Sequence, residues 1–112
     1  MTSKSPSTIN KKSRPAPKLP PVHPGELLGE TLADLGLSMN GLAQAIRVPA
    51  NRISAIVAGK RAITGETAIR LGRYFGTTAA YWMNMQTHYD LETARDEWEQ
   101  RVQSEVRPRS AA

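Results

Sequence analysis

The chain contains no cysteine, which excludes a disulfide framework and a thiolate zinc site. Its two histidines, His23 and His88, stand apart and are too few for a metal centre, so neither metal nor other cofactor is expected. Long apolar runs are missing as well. The N-terminus is basic but lacks the apolar stretch of a signal peptide, so no segment is expected to span or cross a membrane, and the cytoplasm is the expected compartment. The carboxylates have no nucleophile motif, pocket-forming segment or metal set around them, so the chain reads as a non-enzyme. With 112 residues and both ends reading as flexible, it is close to the lower size at which a core suffices without staples. One small domain completed by self-association, a homodimer, is expected.

Acidic residues are absent from residues 1–21, as are almost all large apolar ones. That segment carries Lys4, Lys11, Lys12, Arg14 and Lys18 among five prolines. Nothing there offsets ordering entropy, so a disordered basic tail of polyproline character is expected. Its cations would either add phosphate contacts by counterion release or act as a solubilising leader. The rest of the chain holds ten basic and ten acidic groups, so the tail carries the whole net charge of +5. Charge separates again beyond it. From Arg47 to Arg73 there are six basic residues and one acid, Glu66, while from Asp90 to Glu105 there are six acids and two arginines. One end of the fold should therefore be positive and the other negative.

Apolar periodicity then predicts an all-α domain of five helices over residues 22–103, with 104–112 a frayed end. Pro24 stands just inside the first start. From Glu26 to Leu35 the residues Leu27, Leu28, Thr31, Leu32 and Leu35 share one face, and Gly36 closes the helix. Ser38 caps a second helix that buries Met39, Leu42, Ala43 and Ile46, although Gly41 in its first turn costs about 1 kcal/mol relative to alanine. Arg47-Val48-Pro49 makes a corner, with Pro49 in the first turn of a third helix that Gly59 ends. Thr64 caps a fourth helix, with Ala68, Leu71, Gly72 and Phe75 inward and Glu66, Arg70 and Arg73 outward, and Gly76 stops it. A fifth helix, capped by Thr77 or Thr78, runs to about Gln103, and in it the apolar pattern changes phase. Tyr81, Trp82, Met85 and Tyr89 lie on one side; Leu91, Ala94, Trp98 and Val102 lie on nearly the opposite side. Either the chain bends near His88 to Asp90, or the second stripe meets another chain, and the acids around Trp98 favour a partner.

Two short helices around a tight corner have the geometry of a helix-turn-helix. Ile53, Ile56 and Val57 face inward from the third helix. Its opposite face carries Asn51, Ser54, Ala55 and Ala58, without large apolar groups or carboxylates, and such a face fits a DNA major groove. Asn51 pairs bidentately with adenine and Ser54 bonds several base edges; with Ala50 and Ala55, which suit thymine methyls, they form the expected base-reading set. Arg52, at the flank, reaches either guanine or phosphate. Lys60, Arg61 and Thr64 surround the end of this helix, where a DNA strand should pass. Arg47, Arg70 and Arg73 are further cations nearby, and Arg70 could instead pair with Glu66 at the i, i+4 spacing.

The helix-turn-helix with its trailing Gly59-Lys60-Arg61 loop resembles the lambda-repressor-like (Xre) DNA-binding family. Val22-His23-Pro24-Gly25-Glu26, the segment Ala62 to Leu71, and Tyr81-Trp82-Met83-Asn84-Met85-Gln86 narrow the resemblance to the HigA-type antitoxins of bacterial type II toxin-antitoxin modules, over roughly residues 22 to 95. That resemblance implies a compact all-α dimer that binds its own promoter as double-stranded operator DNA and neutralises a RelE/HigB-like toxin, a ribosome-dependent mRNA endonuclease. It also implies that Gln44 contacts a backbone phosphate; Arg47 is a further phosphate candidate by its charge and position, and the second stripe of the fifth helix, Leu91, Ala94, Trp98 and Val102, is expected to serve a dimer or partner interface. A stand-alone Xre repressor without a toxin is the alternative.

Overall fold

The computed structural model describes residues 19–110. The reading of residues 1–21 as a disordered tail lies almost wholly outside them. Five helices follow one another with no strand among the described residues: α1 Pro24–Leu35, α2 Met39–Ile46, α3 Ala50–Val57, α4 Gly65–Phe75 and α5 Ala79–Glu105.

Each boundary has a local cause. At the start of α1 the His23 side chain accepts the Gly25 amide through Nδ1 at 2.9 Å, and Pro24 fills the first helical position, where its missing N–H costs nothing. Gly36 closes α1 in the left-handed region, and Leu37 N–H returns to the Leu32 carbonyl at 2.9 Å. Ser38 caps α2 by accepting the Gly41 amide at 2.9 Å. Gly41 itself has a steric reason to be there: a Cβ at that position would stand 2.9 Å from Leu37 Cδ1 and 3.1 Å from the capping Ser38 Oγ.

The corner after α2 is made by Arg47, the one non-glycine residue with a positive φ among the described residues (φ 64°, ψ 49°). Holding a side-chain-bearing residue there costs on the order of 1 kcal/mol, which the packing on either side must offset. Pro49 stands one place earlier than expected, as the N-cap of α3 rather than within its first turn. Thr64 occupies the N-cap of α4 but its hydroxyl makes no capping bond, pointing to Thr67 Oγ1 at 3.4 Å instead. For α5 the capping hydroxyl is Thr78, which accepts the Tyr81 amide at 3.1 Å, while Thr77 Oγ1 accepts the indole N–H of Trp82 at 3.0 Å.

The core is formed by Leu28 and Leu32 of α1, Leu42, Ala43 and Ile46 of α2, Ile53 and Ile56 of α3, Ile63, then Ala68 and Leu71 of α4 and Trp82 of α5. Each large aliphatic group so buried contributes roughly 1.5–3 kcal/mol. Of the residues expected on inward faces, Leu35, Met39 and Tyr81 are exposed, and Phe75 is only partly buried. Leu35 and Met39 flank the turn between α1 and α2, which no other element covers among the described residues.

No bend interrupts α5 at His88 to Asp90; the helix is continuous from Ala79 to Glu105. Its first half packs on α4 and α1, with Tyr89 set edge-on to His23 at 4.8 Å. Its second half leaves Leu91, Trp98 and Val102 at 48, 44 and 46% exposure, with Ala94 exposed between them. The phase change seen in the sequence is thus an unbroken helix with a second apolar stripe that the described chain leaves open.

Candidate nucleic-acid interface

The outward side of α3 is built mainly from small residues. Ala50, Asn51, Ser54 and Ala58 are exposed and Ala55 is half-buried, while Ile53 and Ile56 pin the other side into the core. Ser54 Oγ donates to the Asn51 carbonyl at 3.2 Å, which leaves its oxygen lone pairs facing outward as acceptors. Around this face lie exposed Gln44 and Arg47 from the end of α2 and its corner, and exposed Lys60, Arg61 and Thr64 from the loop before α4. The expected base-facing residues Ala50, Asn51, Ser54 and Ala55 are thus exposed or half-buried on α3, and the expected phosphate-facing ones are exposed on the elements next to it.

That loop is held from behind. Gln86 of α5 is buried, and its Oε1 accepts the Ile63 amide at 2.8 Å while its Nε2 donates to Asp90 at 2.9 Å. Gln86 thereby ties the cationic loop to the long helix. Its spacing of four from Trp82, within an otherwise apolar face, is the sequence signal that could have marked it as a buried strut.

A second support lies under α3. Gly25 at the start of α1 is buried against the last turn of α3 so closely that a Cβ there would run into the Ile56 carbonyl oxygen. The His-Pro-Gly sequence thus caps a helix and lets two backbones touch where α3 ends.

Arg52 differs from the other candidates. Its side chain is only 20% exposed, its Nη1 lies 3.4 Å from Glu66 Oε1, and its Nε is buried without a hydrogen-bond partner. Glu66 in turn accepts from Arg70 Nε at 3.0 Å, and Arg70 Nη1 donates to the Ile46 carbonyl at 3.0 Å. That carbonyl is one of those left open at the end of α2. The i, i+4 pair anticipated for Arg70 is present, and the link to Arg52, fourteen positions from Glu66, joins it to α3. The Arg70 hydrogen bond, reinforced by the charge of Arg52, holds the Glu66 carboxyl below its ordinary range. Arg73 stays exposed on α4.

Among the described residues no group of acids and histidines is placed to hold a metal ion, and no helix is long and apolar enough to cross a membrane.

This arrangement, two short helices at a left-handed corner with the second presenting a small polar face, defines a helix-turn-helix domain, and the helix-turn-helix family model matches residues 29–82. Virulence-associated protein I of Dichelobacter nodosus is 50% identical over 81 residues, spanning 71% of this chain and 75% of that protein. Among solved structures, an addiction module antidote protein of the HigA family from Coxiella burnetii superposes with a TM-score of 0.79 at 42% identity, covering 81% of this chain and all of the other. The Pseudomonas aeruginosa antitoxin HigA, solved with the higBA promoter, gives a TM-score of 0.76 at 43% identity over 79% of this chain and 97% of that one. The chain belongs to the HigA-type antitoxin family of Xre helix-turn-helix proteins.

Proposed function

We propose that this chain is a DNA-binding antitoxin that represses its own operon by covering the promoter and neutralises a RelE-like mRNA endonuclease encoded beside it. The observation that carries the DNA half is the exposed face of α3: Asn51 and Ser54 project from a ground of alanines that lets the helix seat deeply, and Lys60 and Arg61 stand at its end for the phosphates. Ala50 and Ala55 suit thymine methyls, Asn51 suits adenine, and the exposed Gln44, Arg47 and Thr64 serve as backbone contacts.

Two copies joined through Leu91, Ala94, Trp98 and Val102 of α5 would present two reading helices to a palindrome. The half-sites are then about one helical turn, roughly 34 Å, apart. The relatives named as HigA antitoxins support the toxin-binding half, which no surface of this chain specifies by itself.

The test is a gel-shift titration of the upstream region of its gene at low salt with the wild type and with Asn51→Ala combined with Ser54→Ala. Loss of about 2–6 kcal/mol of operator affinity in the double variant is expected, since each base pairing is worth about 1–3 kcal/mol. Absence of any shift by the wild type overturns the reading. Co-purification with the product of the adjacent gene tests the other half, and a neighbour that does not bind leaves a repressor without a toxin.

A further inference from the structure

Glu66 is the single acid between Arg47 and Arg73, and it sits in the first turn of α4 beside the proposed phosphate path with 58% of its side chain exposed. A carboxylate there repels a polyanion, so its presence asks for a compensating role. Its contacts supply one. It holds Arg52 of the reading helix and Arg70 of its own helix, and Arg70 continues to the Ile46 carbonyl at the end of α2. α3 and α4 therefore meet at one carboxylate, and Arg70 carries the link on to α2. The Arg52 guanidinium lies mostly covered, with its Nε enclosed and unpartnered, so it is anchored by its surroundings and by Glu66 and not by a full set of hydrogen bonds.

From this juxtaposition we infer that Glu66 is a specificity-determining positioning residue: it withholds Arg52 from indiscriminate phosphate contact and so widens the gap between operator and other DNA. The inference rests on the operator reading above. A guanidinium released from its carboxylate follows whichever phosphate is nearest, which strengthens binding to any duplex. Held by Glu66, Arg52 offers one direction of approach, available only when Asn51 and Ser54 have set the register. The carboxylate competes with phosphate for the same donors, since both accept from guanidinium in the same geometry. Arg70, at 3.0 Å, holds the carboxylate where Arg52 reaches it from α3.

The test uses the full chain with fluorescence-anisotropy titrations against a duplex of its upstream region and a scrambled duplex of equal length, over a series of salt concentrations. Glu66→Gln keeps the shape and removes the charge. It should bind the scrambled duplex about threefold to tenfold more tightly at low salt, with a log Kd against log salt slope steeper by about 1, while operator binding changes less and the preference ratio falls. Glu66→Asp should lie between the two. In an Arg52→Gln background, Glu66→Gln should lose most of this effect. Persistence of the full effect without Arg52 overturns the inference, because the carboxylate would then act as bare charge. Equal weakening on both duplexes with an unmoved salt slope overturns it too, as the mark of a residue that only supports the fold. A wild type that shows no preference for its upstream region sinks the operator reading together with this inference. A wild type with a preference that Glu66→Gln leaves intact sinks this inference alone.

Discussion

Replacing Gly25 by alanine tests whether the contact between α1 and the reading helix carries the domain. The added Cβ would collide with the Ile56 carbonyl oxygen and stand 2.7 Å from its carbon and 3.0 Å from the capping His23 Nδ1. The obstacle is backbone, which cannot swing aside as a side chain does, so α1 and the end of α3 must separate. Overpacking of this kind costs about 1–3 kcal/mol. Disturbing the His23 cap adds up to about 1 kcal/mol. A loss of about 1–4 kcal/mol in a domain of this size lowers Tm by about 4–30 °C. The control is Gly65→Ala in the first turn of α4, where an added Cβ meets nothing within 4 Å. That change should be neutral or stabilising by up to about 1 kcal/mol. Thermal melts followed by far-UV circular dichroism, at equal protein concentration because association raises apparent stability, decide the matter. A Gly25→Ala protein that melts within about 3 °C of the wild type would refute the close-approach argument.

Gln86→Leu strands the Ile63 amide in a buried setting, so about 1–3 kcal/mol of stability should be lost together with hydrogen-exchange protection at Ile63; unchanged protection there would mean that Gln86 does not hold the loop. Trp98→Ala should weaken self-association by about tenfold or more in sedimentation equilibrium, leaving the monomer's helical content intact because the ring is exposed on α5, and an unchanged dimer constant would exclude the stripe as the interface. The depressed carboxyl of Glu66 carries a pH signature. Its folded-state pKa lies below the unfolded one, so its stabilising contribution is present above the ordinary carboxylate range and fades as pH falls through the depressed value. Any Tm advantage of wild type over Glu66→Gln should therefore be largest near neutrality and vanish in acid, and an advantage that grows on acidification would contradict the assigned sign.

What could be read from the residues, and what could not, divides along the separation of the contacting groups in the chain. The starts at His23-Pro24 and Ser38, the stop at Gly36 and the buried faces around Leu28, Leu42, Ile53 and Leu71 depend on neighbours within a turn or two, so periodicity and capping chemistry reach them. The width of each buried face depends on how neighbouring helices cross. Leu35 and Met39 fall on the right stripes and still face solvent, because no element among the described residues extends over that turn. The same limit hid the link from Arg52 to Glu66, fourteen residues apart, and that from Ile63 to Gln86, twenty-three apart, since neither follows from a helical repeat. Gly41 read as a propensity cost because the reason for it, room for Leu37 and Ser38, lies in the preceding turn's packing. The phase change in α5 is the informative case. Periodicity alone left a bend or a partner as its two explanations, and a continuous helix removes the bend. A chain that keeps Leu91, Trp98 and Val102 in register on the open side of an unbroken helix, among six acids, has the features of a surface meant for another molecule. Whether that molecule is a second copy is what the Trp98 variant measures.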